Sequence, residues 1–154
     1  MMSNKPFYEQ NGGNLSKSPP DYLGKTAQDA WKRIVPFLLS TGRVDRIDTT
    51  LVEQYCTTYE TYRQAYEDVK KNGSVIAPPP EPLISPTGEQ VGEKYIFPRR
   101  NPSQAIMQSS SDKLLQIGSK LGLTPKDRQK LFELADKNKK EESISEMAKK
   151  SGLV

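Results

Sequence analysis

Apolar side chains between Asp48 and Gly73 recur in steps of three and four: Val52, Tyr55, Cys56, Tyr59, Tyr62, Tyr66 and Val69. That spacing places them on one stripe of an α-helix. Asp48 is suited to N-cap it, Lys70 and Lys71 to its negative C-terminal end, and Gly73 to the left-handed position that stops it. Between these caps about 24 residues make a rod of roughly 36 Å. The stripe is aromatic rather than leucine-rich. It reads first as core, but phenols tolerate a half-wet surface, so part of it is also suited to face another subunit.

The same periodicity predicts a helix over Lys25 to Ser40, with Ala27, Ala30, Trp31, Ile34, Leu38 and Phe37 as its buried face. Pro36 lies late in it, where a kink or a lost hydrogen bond is expected, and Gly42 ends it. The short link Arg43–Ile47 implies that the two helices lie antiparallel, with Trp31 on the tyrosine stripe. Asn101-Pro102-Ser103-Gln104 is a helix start that leads through Leu114, Leu115 and Ile117 to Gly122. Thr124-Pro125 opens a fourth helix carrying Leu131, Phe132 and Leu134.

Elsewhere the pattern breaks down. Met1 to Ser18 is polar and reads as a disordered arm. In 74–100, Pro78-Pro79-Pro80 and Pro82 forbid helix. Leu83-Ile84-Ser85, a turn at Pro86-Thr87-Gly88, and Tyr95-Ile96-Phe97 fit a small irregular hairpin, or else an ordered loop draped over the helices. From Lys137 a solvated charge run follows, with Ser143 and Glu146 placed to cap one last short helix. The expectation is a mainly α chain in five parts: a flexible arm (1–20), a helical hairpin core (21–73), a Pro-rich loop or small hairpin (74–100), C-terminal helices (101–136) and a charged tail (137–154).

Composition sharpens this. Only 34% of the 154 residues are hydrophobic, beside 12 Pro and 10 Gly, and the mean hydropathy is −0.75. Such a chain buries little core alone, so an oligomer is expected. No apolar run is long enough to span a membrane, and the first residues lack the apolar core of a signal peptide. The single cysteine, Cys56, sits on the helical stripe and reads as a reduced, buried thiol. The net charge of +4 is mild for a monomer that holds DNA, but multiplies around a ring.

Candidate chemistry is sparse. The absence of histidine excludes Ser-His and Cys-His nucleophile pairs and most zinc sites. Gly24-Lys25-Thr26 matches the end of a phosphate-binding loop, but Pro19 stands where the first glycine belongs and no apolar strand precedes it. No cofactor is expected. The basic residues say more: Lys32 and Arg33 on the first helix, Arg43 and Arg46 in the link, and Arg99 and Arg100 before the third helix. All suit phosphate contacts, as an ordinary charged surface also would. Leu114 to Leu131 partly matches a helix-turn-helix, which brings in Lys126 and Arg128. Where the second helix of such a motif needs an apolar residue, it offers Arg128.

Taken together, these landmarks resemble the phage terminase small subunit family. The matching residues are Pro19-Pro20, Ala27, Trp31, Val35-Pro36, Leu38 and Gly42; then Asp48, Leu51, Tyr55-Cys56, Tyr59, Tyr62, Ala65, Gly73 and Gly88. Asn101-Pro102 and Leu121-Gly122-Leu123-Thr124-Pro125, Arg128 and Leu131 complete the set, which spans Pro19 to Leu131. The proline run and the charged tail have no place in that pattern. The resemblance implies a small, helical, oligomeric protein, usually a ring, without a catalytic centre. It implies work in the host cell cytoplasm, where the protein recognises the packaging start site on double-stranded phage DNA. That site is then handed to the terminase large subunit, which carries the ATPase and nuclease.

On that reading Lys32, Arg33, Arg43, Arg46, Arg99, Arg100, Lys126 and Arg128 are the DNA candidates, with the hairpin-link cluster favoured. Trp31, Tyr55, Tyr59, Tyr62 and Tyr66 are core or oligomer interface. The tail, through Ile144, Met147 and Leu153, is the candidate large-subunit contact. Two alternatives stay open: a helical DNA-binding regulator with no packaging role, and an adaptor that binds only protein.

Overall fold

The structure, a computed structural model, describes residues 5–151. Helix α1 (Lys25–Thr41) buries Ala27, Ala30, Trp31, Val35 and Leu38, which recur at helical spacing on one face. Val35 takes the fully buried place expected of Ile34, which is only partly buried, while Phe37 is exposed. Pro36 lies on the exposed side and the helix continues through it. Gly42 closes α1 in the left-handed conformation, its N–H donating to the Leu39 carbonyl.

Helix α2 (Thr49–Asn72) follows a 3-10 turn at Arg46–Asp48. Asp48 does not cap α2 as its position predicts. Its carboxylate turns back to accept from the Asp45 N–H at 3.0 Å, forming a reciprocal box with the Asp45 side chain. Val52, Cys56 and Ala65 are the buried positions of α2, and Gly73 ends it with its N–H on the Val69 carbonyl.

Helix α3 (Pro102–Lys120) runs antiparallel to α2. Asn101, at the start of α3, reaches Asp68 and Gly73 at the end of α2, whereas Gly118, near the end of α3, lies against the Tyr55 ring. This pair is the more extensive packing, ahead of the expected hairpin of α1 on α2. The tyrosine stripe is thus shared between two partner helices. The core joins Leu15, Leu23, the α1 face, Val52, Cys56 and, from the end of α3, Leu121.

Between α2 and α3 the chain leaves as a ribbon. Strand β1 (Val75–Ile76) pairs antiparallel with β4 (Arg99–Arg100), and β2 (Glu81–Ile84) with β3 (Gln90–Lys94). The tight turn is Ser85–Gly88, with Gly88 at positive φ. The second strand is therefore Gln90–Lys94, not Tyr95–Phe97. The reason lies in the register. Extended from Glu81↔Lys94 to Ile76↔Arg99, it sets Pro80, Pro79 and Pro78 opposite Tyr95, Ile96 and Phe97. Prolines have no N–H for a ladder, so the pairing lapses there and resumes beyond.

Two other expectations are corrected. Residues 5–18 are not a free arm: Leu15 is fully buried, the Trp31 indole donates to the Ser16 carbonyl at 3.1 Å, and Asn14 bridges to Asp45. The charge run after Lys137 does not break the helix either, since α4 continues from Pro125 to Lys150. That stretch has no Gly or Pro and is rich in Lys and Glu, with Lys149 and Lys150 at the negative end. No residue of α4 is buried.

Candidate nucleic-acid interface

The basic residues do not converge on one site. Arg46 is spent internally: its guanidinium stacks on Phe7 at 4.5 Å and donates to the Gln10 side chain at 3.1 Å, with its Nε enclosed. It fastens the N-terminal segment to the link. Arg33 lies over the Tyr59 ring at 5.3 Å, and Lys32 beside it is exposed. Arg99 and Arg100 are exposed on β4. They sit at one end of α3, whose 19 residues span about 28 Å, while the α3–α4 turn is at the other.

At that turn the chain builds a corner. Gly122, at φ 71°, reverses the backbone, and Leu131 of α4 folds back over it. Thr124 caps α4, accepting from the Asp127 N–H, and its hydroxyl donates to the Asp127 carboxylate, as does Ser119. These hydroxyl bonds, Thr124 foremost, hold Asp127 below the usual carboxylate range. Arg128 donates to the Leu123 carbonyl at 2.6 Å. The residue that broke the helix-turn-helix pattern thus braces the turn by a hydrogen bond instead of by apolar packing.

Arg43 meets this corner. It lines, with Lys120 and Lys130, a cleft of about 260 Å³ floored by Val44, Leu121 and Leu131. Lys126 stands one helical turn before Lys130 and so shares its face. Four cations gather around the single carboxylate of Asp127. Among the described residues the close ion pairs are confined to Glu67 with Arg63 and Lys70, so the corner, offset only by Asp127, keeps a net positive charge. The link and the turn, rivals in the sequence, are neighbours in space through Arg43. Sequence reasoning missed Lys120 and Lys130, although both lie within or beside the helix-turn-helix-like stretch that it singled out.

The aromatic candidates separate as well. Trp31 is core; Tyr55, Tyr59 and Tyr62 are partly buried; Tyr66 is exposed. Ile144 and Met147 are exposed on the far half of α4, and Leu153 lies outside the described residues. Burial pushes the Cys56 thiol up to about 12, so it stays protonated and inert near neutrality. No group of three or more potential metal ligands occurs among the described residues, and no helix among them is long and apolar enough to cross a membrane.

A family model described as "Phage terminase, small subunit" matches residues 27–138. The chain belongs to that family. No curated protein and no solved structure gives a significant match. The matched span starts in the first turn of α1, includes the whole ribbon, and ends in α4 beyond the corner, so every cation of the cleft falls inside it. Membership of a terminase small-subunit family gives the chain a role in phage DNA packaging, as a subunit of a kind that is generally a non-catalytic regulator.

Proposed function

We propose that this chain is the DNA-recognition subunit of its terminase, binding the packaging start site on double-stranded phage DNA in the host cytoplasm. It delivers that site to the large ATPase and nuclease subunit. The observation that carries the reading is the net positive corner of Arg43, Lys120 and Lys130, with Lys126 one helical turn away and only Asp127 to offset them, inside the span matched by the terminase family. Cations on exposed turns contact phosphates, which supply most of the affinity, and the first turn of α4 beside them reaches base edges. A few such contacts per copy are weak. Repeated around a ring they add through multivalency, without an active site of the chain's own. The far half of α4, with Ile144 and Met147, is the contact for the large subunit.

The test is binding of the purified protein to packaging-site DNA and to unrelated DNA as salt rises, with capture of the large subunit measured in parallel. Binding that falls steeply with salt, favours the packaging site and brings the large subunit to it supports the reading. Salt-insensitive capture of protein alone, without DNA binding, overturns it.

A further inference from the structure

Among the described residues, the ribbon between α2 and α3 leaves most of its large apolar side chains uncovered. Val75, Leu83, Ile84, Val91, Tyr95 and Phe97 are all exposed, Phe97 by 79% and Val91 by 67%. Tyr95 and Phe97 pack edge to face on each other, 5.5 Å between ring centroids, yet stay open to solvent. So much apolar surface on so narrow an element marks a contact site.

Charge on the same ribbon identifies what covers it. The turn half of the ribbon, from the Glu81↔Lys94 pair outward, carries Glu81, Glu89 and Glu93 against Lys94, and is acidic. The base carries Arg99 and Arg100 on β4, next to Lys70 and Lys71 at the end of α2; these four cations outnumber Glu67 and Asp68 beside them, so the base is net basic. Glu89 and Arg99 are about 30 Å apart along the strands, so neither end can satisfy the other within one chain. The acidic end also repels phosphate, which argues against DNA as the occupant. Pro82 removes an N–H from β2, which blunts that edge against strand addition and leaves side chains to make the contact.

The geometry points to the ribbon as the joint between copies of this chain: the acidic turn end of one copy lies on the basic base of the next, with the apolar side chains between them. Such a contact joins two different patches, so repeating it closes a ring or extends a filament. The joint adds to the proposed function the surface on which the multivalency rests.

Light scattering tests it, with helix content as the check on folding. The wild type is expected to be multimeric at micromolar concentration and low salt. Glu89→Lys with Glu93→Lys, and separately Arg99→Glu with Arg100→Glu, should each raise the concentration for half-assembly by about tenfold or more, because like charges then face each other. Mixed in equal amounts, the two variants should recover large assemblies, since each acidic end again meets a basic one. Val91→Ser with Phe97→Ser should weaken assembly whatever the salt. Charge variants that keep the wild-type mass, or a mixture that does not recover, would overturn the joint. A folded, monomeric wild type would overturn it too, while DNA binding, measured on that same monomer, would still stand or fall separately.

Discussion

The body formed by α1, α2 and α3 and the two elements it projects obey different rules. The fully buried large side chains belong to the body and the N-terminal segment laid on it: Leu15, Trp31, Val35, Leu38, Val52, Cys56 and Asn101. The ribbon and α4 have no buried residue, yet hold most of the exposed large apolar ones. A chain this polar has spent its core on one small body. On the proposed function the apolar residues left on the projections serve contacts with other molecules, so substitutions should act on folding in the body and on association in the projections.

The largest effect expected is at Trp31, which is fully enclosed and hydrogen-bonded to Ser16. Trp31→Ala should cost about 3–5 kcal/mol, read as a lower melting midpoint. Cys56 reports the same event, because its buried thiol resists alkylation until the body opens. Its raised pKa also has a sign. The unfolded thiol ionises near its usual value of about 8.5, whereas the folded one holds its proton to about 12. That stability is fully present below the lower value and is lost as pH rises through the upper one. Alkaline melts should therefore fall over that window, and less so for Cys56→Ala.

Next comes the seam where body becomes ribbon. Asn101 caps α3, accepting from Ser103 N–H at 2.9 Å, and donates to Asp68 and the Gly73 carbonyl. Asn101→Ala should cost about 1–2 kcal/mol. Bonds from Asn101, Ser103 and Asn72 hold Asp68 below the usual carboxylate range. Their contribution is present above that range and is lost as pH falls through the depressed value. Acid melts of Asn101→Ala should consequently be shallower than those of the wild type.

The smallest effect on folding belongs to α4. Ile144→Ser with Met147→Ser should change the melting midpoint by no more than about 0.5 kcal/mol equivalent, while abolishing capture of the large subunit. Removal of everything after Asp136 should lower helix content, because α4 is helical to Lys150, but leave the thermal transition of the body in place. Loss of that transition would erase the distinction between body and projection.

The sequence made the body legible because buried helices write a period of three to four. The α1 face and the α2 stripe follow from it, while the Asn101 and Thr124 caps and the stops at Gly42, Gly73 and Gly122 follow from residue type at the helix ends. The resemblance spanning Pro19 to Leu131 rested on those same positions and overlaps the matched residues 27–138. Leu15 was illegible because one apolar residue in a polar stretch makes no period. The ribbon register was hidden by Pro78–Pro80, which interrupt the ladder that alternation would reveal. The helicity of α4 beyond Lys137 comes from propensity without a buried face, so no apolar stripe announces it. The corner was half visible. Arg43 and Lys126 were identified, but their approach depends on α3 folding antiparallel to α2, which no local pattern encodes.

The most direct test of the account is the salt dependence of DNA binding for two variants of equal charge. One replaces Arg43, Lys120 and Lys130 with Ala at the corner; the other replaces Lys139, Lys140 and Lys149 on the far half of α4. Each B-DNA phosphate contact contributes about 0.9 to the slope of log affinity against log salt. The corner variant should flatten that slope by roughly two to three per subunit engaged and weaken binding to every sequence, at unchanged oligomeric mass, and the α4 variant should leave it as in the wild type. The reverse outcome would place DNA on the projecting helix and contradict the account.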